Sequence, residues 1–196
     1  MISAILLAAG QSKRMHGENK LTKKINGVSL IKHSLQNILN SSIQEIIIVL
    51  GNEKEIIEKL IDKNNKIKIV FNNNFKKGMS SSIKTGLKFL SKETHAFFIC
   101  LGDMPTVNYY DRILSFYNSN LELKKKNKKD IFVPTYKNIQ TNPILFNISM
   151  KEKIMTLEGD IGAKEILELN KDKILNVNIN DLGLAKDFDT PDDFNS

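Results

Sequence analysis

Short, nearly continuous apolar runs rich in Ile, Val and Phe recur along this chain, and longer amphipathic segments separate them. The runs are ISAILLA (2–8), EIIIVL (45–50), KIKIVF (66–71) and HAFFICL (95–101). Apolar runs this short, with no polar alternation, suit strands buried on both faces. The segments between them carry apolar residues at helical spacing: Val28, Ile31, Leu35, Ile38 and Leu39 in 28–41, Ile56, Ile57, Leu60 and Ile61 in 53–63, and Ile83, Leu87 and Leu90 in 80–91. Strand and helix alternating at this spacing predict βαβ units, a parallel sheet and helices packed on both of its faces.

The second half reads differently. DIFVPTY (130–136) and QTNPILF (140–146) resemble two strands joined by a polar turn, an antiparallel addition to the sheet. Two short helices are expected at about 149–157 and 160–169, then a strand at 173–179. No repeat or linker divides the chain, and 196 residues suit one domain, taken as 1–196. Hydrophobic residues make up 41%, enough for a core that needs no staple, and a single cysteine excludes a disulfide framework and a cysteine-rich zinc site. The apolar start lacks a preceding basic region, and no run reaches the roughly 20 residues of a membrane span, so the expected location is cytoplasmic. The net charge of +7 fits either phosphorylated ligands or a composition generally rich in Lys, Asn and Ile. KKKNKK (124–129) has no interleaved aromatics and reads as a solvated loop, not a nucleic-acid surface.

In an open α/β sheet, ligands bind beyond the carboxyl ends of the strands. Four loops leave such ends: 8–20, 72–82, 102–106 and 187–191. The first, LAAGQSKRMHGENK (7–20), combines small residues with cations. Ala8, Ala9 and Gly10 let a ligand approach the backbone, Gly10 can take a positive φ, and exposed N–H groups there would form an anion nest. Arg14 can fork onto phosphate oxygens and Lys20 adds a mobile charge. The plainer reading is a basic surface turn. Neither G-x-x-x-x-G-K-[ST] nor G-x-G-x-x-G is present, which excludes a Walker A loop and the dinucleotide fingerprint.

In CLGDMPTV (100–107), Asp103 follows a buried strand and is held between Gly102 and Pro105. Mg2+ takes one or two carboxylates plus substrate phosphates, a role open to Asp103; the alternative is helix capping, which Thr106 or Asn108 would do more naturally. In DFDTPDDF (187–194), Thr190 and Pro191 read as a helix start with Asp192 and Asp193 in the first turn, leaving Asp189 for a metal. In FKKGMSSSIKTG (75–86), Gly78 and three serines open a helix. One serine would suffice as a cap, and the others are available to a sugar or base.

LAAGQSKRMHGENKL, GMSSSIKTGL, LGDMPTV, TNPILF, LEGDIGAKEIL and DFDTPDDF, in this order and spacing, resemble the molybdenum cofactor cytidylyltransferases (MocA-like) within the MobA-like NTP transferase superfamily. The likeness covers nearly the whole chain. It implies a Rossmann-like three-layer α/β/α fold that binds a nucleoside triphosphate with Mg2+, transfers a nucleotidyl group to the terminal phosphate of molybdopterin and releases pyrophosphate. By motif position, Leu7, Ala8, Ala9 and Gly10 would line the base and phosphates, Arg14 and Lys20 would hold the triphosphate, Gly78, Ser80, Ser81 and Ser82 would contact the nucleoside, and Asp103 and Asp189 would hold Mg2+. LAAG in place of LAGG, together with GMSSS, associates the chain with members that use CTP. Implied partners are these small molecules and a molybdenum hydroxylase apo-enzyme, with neither nucleic acid nor membrane. Thr141, Asn142, Asp160 and Lys164 are the candidates for the acceptor side.

Two positions depart from the family pattern. His16 stands where Arg-Met is usually followed directly by glycine, so either the turn differs or Gly17 takes over; His16 could add a phosphate contact, and the plainer reading is that it merely tolerates the site. Thr141 stands where relatives carry glycine, which leaves the acceptor open. GTP as donor, a sugar phosphate or methylerythritol phosphate as acceptor, and a non-catalytic nucleotide or cofactor carrier are the alternatives. Of the remaining titratable groups, His33 is expected at the surface, while His95 and Cys100 are expected to be structural.

Overall fold

The computed structural model describes residues 1–12, 15, 18–120, 129–156 and 162–179, with positions 163 and 164 described by backbone alone. The four apolar runs form β1 (Ile2–Ala8), β4 (Glu45–Leu50), β5 (Ile67–Phe71) and β6 (Ala96–Leu101). They lie side by side in the order β5-β4-β1-β6, all parallel. Beyond β6 come β9 (Ile144–Asn147), antiparallel to it, then β7 (Ile131–Tyr136), and β10 (Ile174–Asn178) parallel to β7. QTNPILF therefore divides in two: its start joins the two-residue β8 (Ile139–Gln140), which pairs with β7, and its end becomes β9. The expected antiparallel addition is present, split at Pro143, which has no N–H to offer a ladder.

Six helices are described: α1 (Leu30–Leu39), α2 (Lys54–Glu58), α3 (Met79–Lys88), α4 (Tyr110–Ser119), α5 (Lys151–Met155) and α6 (Ala163–Glu168). One face of the sheet presents Ala4, Leu6, Ile46 and Ile48 to α1, α2 and α4 through Leu35, Ile38, Ile57, Ile113 and Tyr117. The opposite face presents Ile5, Ile47 and Val49 to α3, α5 and α6 through Ile83, Leu87, Ile154, Ile166 and Leu167. Strand residues feed the two cores alternately because successive side chains point to opposite faces. The result is the expected Rossmann-like α/β/α arrangement, with a mostly parallel sheet.

Three helical expectations shift. Val28 does not belong to the buried face of α1. It lies in β3 (Val28–Ser29), which closes a small hairpin with β2 (Lys24–Ile25) across Asn26 and Gly27, and it is exposed. Asn26 and Gly27 both have positive φ, the conformation that ends any helix here. The segment 53–63 is helical only through Glu58. His33, expected at the surface, is half-buried, and its Nε2 lies 2.9 Å from the Ile25 carbonyl, fastening α1 to the hairpin. Among the described residues no helix is long and apolar enough to cross a membrane. KKKNKK lies outside the described residues except for Lys129.

Candidate active site

All the parallel strands end at the same edge of the sheet. At β1 the strand order reverses, since β4 and β5 lie on one side of it and β6 on the other. The chains leaving β1 and β6 diverge there, and such a switch point is where open α/β sheets hold ligands. Leu7 and Leu101 are register partners, and the Gly102 N–H donates to the Leu7 carbonyl at 3.0 Å. Beyond that bond lies a cavity of about 710 Å³. Its walls are residues 7–12 with Lys20 and Leu21, residues 75–79 with Ser82, and residues 101–103.

Lys20 and Asp103 meet in this cavity as an ion pair between the Lys20 Nζ and Asp103 Oδ2, both side chains largely buried. Each is placed by its own local structure. Lys20 opens a 3-10 turn (Lys20–Thr22) that Asn19 caps by accepting from the Leu21 N–H at 3.1 Å. Its backbone N–H donates to the Ser12 hydroxyl at 3.1 Å, which closes the first loop. Asp103 sits on a loop held from below by α1: Ser34 Oγ donates to the Gly102 carbonyl at 2.9 Å, and Asn37 Nδ2 to the Pro105 carbonyl at 2.7 Å. α4 starts only at Tyr110, with Tyr109 as its cap residue, so Asp103 caps no helix and neither Thr106 nor Asn108 takes that place. Gly10 does not use a positive φ. That conformation falls on Ser12, at 48°, while the space beside the Gly10 Cα is open.

The wall opposite is the start of α3. Gly78 is its cap residue at φ 99°, and no serine side chain caps the helix. The serines answer instead to Asn72, a buried side chain at the end of β5. Asn72 Nδ2 donates to Ser81 Oγ and Ser82 Oγ, both at 2.9 Å, and its Oδ1 accepts from the Asn74 N–H at 2.9 Å. Ser81 turns back to the Gly78 and Asn74 carbonyls, Ser80 is buried, and of the three serines only Ser82 lines the cavity. Gly51, at the end of β4, sets the distance between the two walls. A Cβ there would stand 2.8 Å from both the Ala9 and Phe75 Cβ atoms.

The lining is electropositive. Lys20, Lys76 and Lys77 contribute three ammonium groups against the carboxylate of Asp103. Among the described residues no cluster of three or more His, Cys, Asp or Glu exists to chelate a metal by itself. A single carboxylate beside room for phosphates is a donor set that fits Mg2+, which retains water and shares its ligands with a phosphorylated substrate. Leu7, Ala8, Ala9, Gly10, Lys20, Gly78, Ser82 and Asp103 are thus brought together. Arg14, Asp189 and Asp160 lie outside the described residues, as does the side chain of Lys164.

Thr141 and Asn142 precede β9 at the same edge of the sheet but do not line the cavity. The Tyr109 hydroxyl donates to the Asn142 carbonyl and joins this turn to the Asp103 loop. Burial pushes the Tyr109 phenol up to about 12, against a smaller opposing effect of a Thr141 hydrogen bond. Gly162 also approaches the site: it packs on Met79, whose sulfur would be 2.8 Å from an added Cβ. Cys100, fully buried beneath, is inert: burial raises its thiol to about 12. Gly51, Asn72 and Tyr109 have no role in the sequence reading. Lys76 and Lys77 stand inside a quoted motif without one, although basic residues just before a glycine-initiated helix are a legible phosphate signal.

Against known families, residues 4–174 match the MobA-like NTP transferase domain. The chain belongs to this family. MobA-like relatives include a "Probable molybdenum cofactor guanylyltransferase" of Thermococcus sibiricus, 32% identical over 149 residues that cover 71% of this chain and 65% of that one. A protein of the same name from Bacillus cereus is 27% identical over 196 residues, covering 90% of each. The chain spans about a quarter of the length of several other, longer relatives. Among solved structures, 4-diphosphocytidyl-2C-methyl-D-erythritol synthase from Anaerococcus prevotii superposes with a TM-score of 0.73 at 18% identity, covering 98% of this chain and 92% of that one, which establishes the shared fold.

Proposed function

We propose that this MobA-like protein is an Mg2+-dependent nucleotidyltransferase that moves CMP from CTP to the terminal phosphate of molybdopterin and releases pyrophosphate. The observation that carries the reading is the meeting of Lys20 and Asp103 at the switch-point cavity, beside Lys76 and Lys77. Basic side chains at the carboxyl edge suit a polyphosphate, and a single carboxylate suits a metal shared with it.

In the reaction an acceptor phosphate oxygen forms a bond to the α-phosphorus of the nucleotide, and the bond from that phosphorus to the bridging oxygen of the β-phosphate breaks. No protein nucleophile is required, because the attacking oxygen already carries charge near neutral pH. Catalysis is positioning and charge neutralisation. Asp103 and Asp189 would hold Mg2+, which when bound neutralises charge across the phosphates. Lys20, held by Asp103 in the free protein, exchanges that carboxylate for the incoming phosphates and, with Arg14, stabilises charge on the departing pyrophosphate. Thr141 and Asn142, fixed by Tyr109, face the acceptor side.

CTP is favoured by the LAAG and GMSSS pattern, and by Ala9, a lining residue of the cavity at a position where glycine would leave more room for a larger base. The names of the relatives favour GTP as the second reading. Pyrophosphate release with Mg2+, molybdenum-loaded molybdopterin and each of CTP, GTP, ATP and UTP decides between them. Release with CTP alone is expected. Release with GTP keeps the chemistry and replaces the base, and nucleotide binding without release from any of the four removes the transferase reading in favour of a carrier.

A further inference from the structure

Hydrogen-bond bookkeeping around Asn72 fixes more than the position of the serines. The Asn74 N–H can only donate, so the Asn72 oxygen must face it, and the Asn72 amide therefore presents its two protons to the two serines. Both serine oxygens act as acceptors there. Ser81 returns its own proton to the Gly78 and Asn74 carbonyls. Ser82 has no such outlet: among the described residues its hydroxyl receives the Asn72 proton and makes no other hydrogen bond. It is 5% exposed, and it lines the cavity.

Resting on the nucleotide-binding reading above, we propose that Asn72 is a positioning residue that holds the Ser82 oxygen by one lone pair and leaves its proton to be offered to the cavity, where it reads an acceptor atom of the bound nucleotide. A hydroxyl normally donates or accepts as its partner requires. Here one of the two lone pairs is taken by the Asn72 amide, while among the described residues the proton has no acceptor, so a ring carbonyl, a bare ring nitrogen or a phosphate oxygen that meets Ser82 takes that proton. The same bookkeeping explains why an asparagine, and not an aspartate, suits the end of β5. A carboxylate would still accept from the Asn74 N–H, but it would also take the Ser82 proton and turn lone pairs toward the ligand.

The test is nucleotide affinity by calorimetry on the whole protein, with CTP, cytidine and inorganic triphosphate as probes. Ser82→Ala should weaken CTP binding about 5- to 10-fold, the scale of one neutral hydrogen bond, with little change in Tm. Asn72→Asp should weaken it similarly when Ser82 is present. Made together with Ser82→Ala, it should add only the modest loss expected of an extra negative charge. A loss shared by CTP and cytidine assigns the acceptor to the nucleoside, and one shared by CTP and inorganic triphosphate assigns it to a phosphate. Wild-type affinity in Ser82→Ala at unchanged Tm overturns the proposal, and so does an Asn72→Asp penalty that is the same with and without Ser82. If the parent protein binds none of the nucleoside triphosphates, the reading of the cavity itself fails, a result separable from either of these.

Discussion

Lys20 and Asp103 occupy one ion pair but have different tasks, and kinetics should separate them. Asp103→Asn keeps the size of the side chain and removes its charge. Turnover is expected to fall at least about 100-fold while Tm and nucleotide affinity stay close to wild type, since preorganised electrostatic groups are worth roughly 10²–10³ in rate. Pyrophosphate release checks it, and a near-normal rate would take Asp103 out of the mechanism. Lys20→Met removes a charge-assisted phosphate contact worth about 1.5–3 kcal/mol, so the KM for the triphosphate should rise about tenfold or more. Arg14→Lys should also slow pyrophosphate release, because an ammonium cannot reproduce the guanidinium fork. Equal release by that variant and the parent would count against the contact.

At the level of elements, close packing at two glycines joins the core to the site. Gly86 lets α3 settle on β1: a Cβ there would stand 2.3 Å from Ile5 Cγ2, a fully buried branched side chain. Gly86→Ala should therefore cost about 1–3 kcal/mol by overpacking, read as a lower urea midpoint. Gly51→Ala meets two walls of the cavity at once, Ala9 and Phe75. It should lower nucleotide affinity more than Gly86→Ala does, because the displaced atoms belong to the loops that hold the ligand. Calorimetry on the two variants side by side compares them. Equal nucleotide affinity in both would mean that the spacing at Gly51 serves stability alone.

For the molecule as a whole, the buried acids beneath the site set an alkaline limit. Burial raises the Cys100 thiol from 9.0 to about 12, and burial also raises the Tyr109 phenol from 10.0 to about 12. The unfolded chain ionises these groups at their lower, ordinary values and so binds fewer protons than the native state above about pH 9. Stability must then fall as pH rises through that window. Urea unfolding at pH 7 and pH 10.5 should show a smaller alkaline loss for Cys100→Ala than for the parent, although the variant starts lower at pH 7 because it leaves a small cavity. An equal alkaline loss in both would assign the effect to the tyrosines.

Periodicity and local chemistry legible in the sequence determined the parallel strands, the helices on both faces, the loop ends that carry Lys20 and Asp103, and the motif order that matches the MobA-like family. These are short-range properties, because a strand run, a helical stripe or a glycine before a helix is complete within a dozen residues. Tertiary structure alone decided which loops meet. Gly51 matters because Ala9 and Phe75, 42 residues before it and 24 after it, both press on it. Asn72 matters because the end of β5 lies beside the start of α3, so that its amide holds the Ser82 hydroxyl, while the cap position of α3 falls to Gly78. Tyr109 matters because β9 runs antiparallel to β6 and brings Asn142 back to the Asp103 loop. Val28 was misread because the turn at Asn26–Gly27 competes with a helical stripe, and which of the two prevails depends on packing that no local pattern contains. Contacts between residues distant in sequence follow from strand order, and strand order is fixed only when the whole core assembles.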